Sequence, residues 1–173
     1  MTDHDFSQLA AQHTLGDQPL PVVVRELSGD APPKLVWRND LGGLTFRIGD
    51  RYLKWNPRTT GIDLDREGRR LLWLAPRHPA PRVVGFGADD DAQWLLLEAV
   101  PGEHAVGDRW RARRPEAITA IAAGLRAIHA IPVDDVPDDW AAESWVGRRP
   151  TNLGPRPPIE RSVLVHGDAC APN

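Results

Sequence analysis

Apolar and polar residues alternate most cleanly over Leu44–Ile48. Leu44, Phe46 and Ile48 fall on one face and Thr45 and Arg47 on the other, the period of two expected of a half-buried strand. Gly49-Asp50 is a tight-turn pair, and Arg51–Trp55 reads as the return strand of a hairpin that Asn56-Pro57 ends. Upstream, Val22–Glu26 and Lys34–Arg38 are further β-like runs, the second entered through Pro32-Pro33. The first 20 residues are polar, with a weak helix at Ser7–Ala11.

The period then changes. Ile62–Leu74 reads as a helix, with Asp63 and Asp65 in its first turn, Arg69-Arg70 towards its end, and Leu71, Leu72 and Leu74 as its apolar side. Pro76, Pro79 and Pro81 punctuate the exit. Arg82–Phe86 and Gln93–Ala99 are two more strands, joined by the acidic turn Asp89-Asp90-Asp91. Before residue 100 this gives five or six strands and one helix, an α+β arrangement of an antiparallel sheet with one helix inserted. Val100-Pro101-Gly102 is a linker signal. Beyond it, Pro115–Ile131 reads as an amphipathic helix, with Ile118, Ile121, Ala122, Leu125 and Ile128 at helical spacing and His129 as a packing residue on the same side. Residues 132–160 are loop with little periodicity, in which Trp140 and Trp145 are candidates to line a cleft. Arg161–Val165 is a short apolar strand opening into His166-Gly167-Asp168-Ala169-Cys170-Ala171-Pro172-Asn173.

Composition narrows the classes. The 173 residues carry a net charge of −3, with no basic surplus to neutralise a nucleic-acid backbone. No apolar run approaches the ~20 residues that span a bilayer, and the acidic start is not a secretory signal, so no membrane partner is expected. Cys170 is the single cysteine, which fits a reducing cytoplasm, and no neighbour in sequence marks it as a nucleophile. The 21 basic residues include only two lysines, Lys34 and Lys54, so a persisting lysine draws attention as a compact point charge.

The chemistry concentrates at the end of the chain. A strand ending in His166-Gly167-Asp168, with Asn173 five positions after the aspartate, can aim a carboxylate and an amide into one cleft. Asp168 can accept or orient the proton of an attacking hydroxyl, and the Asn173 amide oxygen can bind Mg²⁺, the division of labour in a kinase catalytic loop. The tripeptide alone is also an ordinary turn. His166 is read as a loop-shaping residue, since companion metal ligands are lacking. A kinase of this kind also needs a loop over the phosphates, a lysine on the third strand and a helical acid to hold it. Gly42 and Gly43 lie between two strands, although two glycines also make a plain hairpin turn. Lys54 lies on the next strand, and Glu67 on the helix that follows. Asp89–Asp91 and the acidic run at Asp134–Asp139 could attract a polycation, and are equally ordinary solvated loops.

Taken together, these stretches resemble the aminoglycoside phosphotransferase family, particularly its 3′-phosphotransferase branch. The run His166–Asn173 is close to that branch's catalytic loop; Asp65–Leu74 is similar to its helix ending in a Trp-Leu pair; Trp94–Gly102 resembles its last N-lobe strand and hinge. The similarity extends from about residue 22 to the end. It implies a protein-kinase-like fold, with residues 1–99 as a nucleotide-binding N-lobe and residues 100–173 as a hinge and the start of a helical C-lobe. It implies that Lys54, oriented by Glu67, binds the nucleotide phosphates under Gly42 and Gly43. Backbone groups of Glu98, Ala99 and Val100 would meet adenine, with Asp168 the catalytic carboxylate and Asn173 a Mg²⁺ ligand. ATP and Mg²⁺ are the implied cofactors and an aminoglycoside hydroxyl the implied acceptor. A nucleotide-binding module without catalysis, or a kinase of choline, a sugar or a macrolide, are the alternatives. The family's second metal ligand and its drug-holding helices follow the catalytic loop, so these 173 residues alone are expected to be incomplete and to transfer little.

Overall fold

The computed structural model describes residues 15–16, 18–103, 105, 107–137, 140 and 162–167. The chain divides into two compact units, Met1–Glu103 and His104–Asn173.

The first unit is built on a five-stranded sheet. In chain order its elements are helix α1 (Val22–Ser28), strands β1 (Lys34–Arg38), β2 (Leu44–Ile48) and β3 (Arg51–Pro57), helix α2 (Leu64–Leu74), and strands β4 (Val83–Ala88) and β5 (Ala92–Glu98). The sheet order is β1-β2-β3-β5-β4, and every pairing is antiparallel. β3 is therefore central, paired on one side with β2 (Thr45 opposite Lys54) and on the other with β5 (Leu95 opposite Lys54).

Both faces of the sheet are covered, which accounts for the weak alternation in β3. On one face Leu35, Leu44, Phe46, Ile48, Leu53 and Leu96 form a core with Val24 of α1, and Trp55 and Trp94 pack against it. On the other face Leu95 and Leu97 meet Leu64 of α2, with Ile62, Leu71, Val83 and Phe86 around them. Burying a side chain such as Leu53 or Leu95, both at 0% exposure, stabilises by about 1.5–3 kcal/mol each.

Val22–Glu26, expected as a strand, is instead the start of α1. Valine's preference for strands is worth at most about 1 kcal/mol and depends on context, and packing overrides it. Val24, Leu27 and Ser28 recur at helical spacing and turn towards the sheet, while Val22 stays 64% exposed. The Ser28 hydroxyl donates to the Val24 carbonyl at 2.5 Å, so it is satisfied where it is buried. β3 also runs on through Asn56 and Pro57, where the sequence suggested a stop, because Pro57 closes the strand opposite Ala92 and a 3₁₀ turn at Arg58–Thr60 follows. α2 begins at Leu64 rather than Ile62. Asp63 is its N-cap, its carboxylate accepting from the Arg66 N–H at 2.9 Å.

In the second unit, α3 (Asp108–Arg111) precedes α4 (Arg114–His129), and Pro115 sits at the start of α4 as its fixed φ favours. Ala117, Ile121, Leu125 and Ile128 are half-buried. Ile118 and His129, expected on the packed side, are exposed, Ile118 at 66%. Ser162–Val165, expected in a strand, pairs with no described strand, and Val163 and Val165 are exposed. A strand exists only through its ladder, and among the described residues none supplies one for this run. The Ser7–Ala11 helix, Trp145, Arg161 and Cys170 lie outside the described residues. Among those described, no helix is long and apolar enough to cross a membrane.

Candidate functional site

The sheet faces decide where charged side chains can go. Lys54 alternates with Leu53, which is buried beneath α1, so it emerges on the α2 side of the central strand. Glu67 lies in the first turns of α2. The two meet: Lys54 Nζ donates to Glu67 Oε1 at 2.6 Å. Their side chains remain 38% and 35% exposed. An ion pair that wet contributes about 0–1 kcal/mol, too little for the fold to depend on it. It leaves an ammonium held in a fixed place with donors still open to solvent.

The glycine loop is a tighter object than two glycines suggest. Asn39 opens the turn after β1 and organises it. Its side-chain oxygen accepts from the Leu41 N–H at 3.0 Å and the Gly43 N–H at 2.7 Å, and its carbonyl accepts from the Gly42 N–H at 3.1 Å. Gly42 has φ +94°, a conformation that side chains rarely adopt. At Gly43 the constraint is space: a Cβ would lie 1.8 Å from Asn56 Oδ1 and 2.4 Å from Asn39 Nδ2. The N–H groups of Leu41, Gly42 and Gly43 are thus all engaged by Asn39, and the loop lies flat against the buried Asn56 amide.

At the end of β5 the backbone is partly spoken for. The Glu98 N–H donates to the Arg82 carbonyl at 2.9 Å and the Ala99 N–H to the Asp50 carbonyl at 2.8 Å. The Glu98 carboxylate is ion-paired with Arg82. Among the described residues no backbone acceptor takes the Val100 N–H, and Val100 is 61% exposed.

Lys54, Glu67, Gly42, Gly43, Glu98, Ala99 and Val100 all belong to the first unit; among them, the direct side-chain contact is that of Lys54 with Glu67. Asp168 and Asn173 lie outside the described residues, which reach His166 and Gly167 with Gly167 at φ +85°. Among the described residues no group of three or more His, Cys, Asp or Glu could hold a metal ion. Asn39, Asn56 and Arg82 were not singled out from the sequence. The Asn39-Asp40 pair ahead of two glycines is an Asx-turn signal that would have found the first.

The model of a phosphotransferase enzyme family, APH, matches residues 23–154. The chain is 41% identical to an aminoglycoside 3′-phosphotransferase of Streptomyces ribosidificus, over 80% of this chain and 66% of the relative. It is 34% identical to the aminoglycoside 3′-phosphotransferase of Streptomyces fradiae, over 68% of this chain and 54% of the relative. A Streptomyces rimosus aminoglycoside phosphotransferase, solved in complex with ADP and streptomycin, superposes with a TM-score of 0.53 at 28% identity, over 66% of this chain and 42% of that one. The chain spans between about half and two thirds of the length of the two curated relatives. The antiparallel sheet with its inserted helix is the α+β, protein-kinase-like fold of these enzymes. With its family model covering most of its length, the chain belongs to the APH phosphotransferase family.

Proposed function

We propose that residues 1–99 form the nucleotide-binding lobe, and residues 100–173 the hinge and first part of the C-lobe, of an ATP-dependent kinase. It moves the γ-phosphoryl group of ATP to a hydroxyl of an aminoglycoside, and it acts in the cytoplasm. The observation that carries this reading is the 2.6 Å ion pair between Lys54 on β3 and Glu67 on α2. A lysine on the central strand, held by an acid from the inserted helix, is the device such enzymes use to grip phosphates.

In this reading Glu67 orients the Lys54 ammonium toward the α- and β-phosphates. The loop at Gly42 and Gly43 covers them by close approach of its backbone. Adenine is read at the end of β5 by the Val100 N–H together with carbonyls of the Glu98–Val100 stretch, because the Glu98 and Ala99 N–H groups already have acceptors. Asp168 accepts or orients the proton of the attacking drug hydroxyl. Asn173 supplies an amide oxygen, a donor that suits Mg²⁺. The metal's contribution, when bound, is to neutralise charge on the phosphates. The relatives' names as aminoglycoside phosphotransferases, one of them solved in complex with ADP and streptomycin, support an aminoglycoside as acceptor.

The test is ADP release by the polypeptide encoded across the whole reading frame that holds these residues. ATP turnover should rise when an aminoglycoside is added and should not respond to choline, a free sugar or a macrolide. Turnover indifferent to aminoglycosides would contradict the substrate, and its absence with every acceptor would contradict the activity.

A further inference from the structure

Helix α2 carries a glycine in its interior, at the position next to Glu67. Glycine weakens a helix, so its presence there calls for a packing reason. The reason is on β4. A Cβ at Gly68 would stand 2.7 Å from Phe86 Cδ1, closer than real Cβ atoms approach, and a tight 3.1 Å from both Cε1 and Cγ. Gly68 is buried, and the Phe86 ring is half-buried with the Arg69 guanidinium 5.8 Å from its centre. The ring is therefore hemmed in by the helix that it supports.

A second contact fixes the near end of the same helix. Gln93 on β5 reaches across, and its side-chain oxygen accepts from the Leu64 N–H, the first of α2, at 2.8 Å. The N-terminus is thus tied to one strand while the next turn rests, through Gly68, directly on another. A helix held at its start resists sliding, so a clash one turn later favours a tilt away from the sheet. Glu67 precedes Gly68 and would be carried with it, away from Lys54 on β3.

We propose that Gly68 is a positioning residue. Its lack of a side chain lets α2 sit close enough to the sheet for Glu67 to hold Lys54 in place for the nucleotide phosphates. The proposal rests on the nucleotide reading given above, and its test separates the two. ADP and adenosine are titrated against the purified protein and its variants by tryptophan fluorescence. Gly68→Ala should weaken ADP about tenfold, as when a charge-assisted hydrogen bond is loosened rather than deleted. Adenosine, which has no phosphates, should change by less than about twofold. Shortening the ring in Gly68→Ala/Phe86→Val should recover most of the ADP affinity. In a Glu67→Gln background, Gly68→Ala should have no further effect, because residues acting through one contact are not additive.

Unchanged ADP binding in Gly68→Ala would overturn the proposal. So would an equal loss for adenosine, or an undiminished loss in the Glu67→Gln background. Failure of the unaltered protein to bind ADP would instead overturn the nucleotide reading. The seat is then still decided by a crystal structure of Gly68→Ala. Lys54 Nζ and Glu67 Oε1 separated beyond about 4 Å support it, and a retained hydrogen bond contradicts it.

Discussion

Replacing Gly43 by alanine tests the glycine loop at its tightest point. The new methyl carbon would fall 1.8 Å from Asn56 Oδ1, 2.4 Å from Asn39 Nδ2 and 3.0 Å from Asn56 Cγ. Ordinary contact needs about 3.5 Å, so the Asn56 amide must retreat by well over 1 Å. Asn56 is 5% exposed and sits in β3 two residues from Lys54, so it has little room to do so. Overpacking of this kind costs about 1–3 kcal/mol, and displacing a buried amide from its place adds a cost of similar size. Alanine stiffens the unfolded chain and returns about 0.4–1 kcal/mol, since no left-handed φ opposes it at Gly43. The net expectation is a loss of about 3 kcal/mol within a range of about 1–5, or roughly 10–20 °C in Tm for a unit of this size. Urea unfolding followed by tryptophan emission gives the readout, because Trp55 and Trp94 face each other across β3 and β5. Two companions separate space from backbone strain. Gly43→Ala/Asn56→Ala should recover at least half of the loss. Gly42→Ala, with open space but φ +94°, should cost about 1–2 kcal/mol that Asn56→Ala does not relieve. An unaltered urea midpoint in Gly43→Ala, or no recovery in the double variant, would refute the reasoning.

Leu53→Ala removes a fully buried side chain from the centre of the sheet and should cost about 2–5 kcal/mol in equilibrium denaturation; a loss under 1 kcal/mol would mean that the core collapses around it or lies elsewhere. Asp89 accepts from the Ala92 N–H at 2.7 Å and the Asp91 N–H at 2.9 Å, and these bonds hold its carboxyl below the ordinary value of 3.8. A depressed folded-state value means that the contribution is complete above pH 3.8 and is lost as the pH falls through the folded value. Asp89→Ala should therefore lower Tm at neutral pH and converge with the unaltered protein in strong acid; a Tm difference that persists or grows on acidification would reverse the sign.

The parts of the fold that were legible are those whose signal is local. Leu44, Phe46 and Ile48 announce their strand because one face is buried and Arg47 on the other stays exposed. Asp63, Asp65 and the leucines of α2 announce a helix, and the lysine-poor composition makes Lys54 stand out. What escaped depends on neighbours distant in sequence. Nothing within Val22–Ser28 says that the sheet will receive Val24 and Leu27 on one side of a helix rather than alternate residues of a strand. The glycine loop was visible, but its close fit depends on Asn56, which arrives only at the far end of β3. The end of β5 read as a hinge, yet which of its N–H groups have acceptors depends on carbonyls of Asp50 and Arg82, brought alongside by the hairpin and by β4. The capping of α2 by Gln93 has no local signature, since a glutamine in a strand is usually a solvated side chain.

The central claim is that the Lys54–Glu67 pair grips the phosphates of a bound nucleotide. Comparing ADP with adenosine in the unaltered protein and in Lys54→Met tests it most directly. The claim predicts that ADP binds more tightly than adenosine, and that Lys54→Met brings ADP down to the adenosine level without moving adenosine. A Lys54→Met protein that still prefers ADP by the original margin would contradict it.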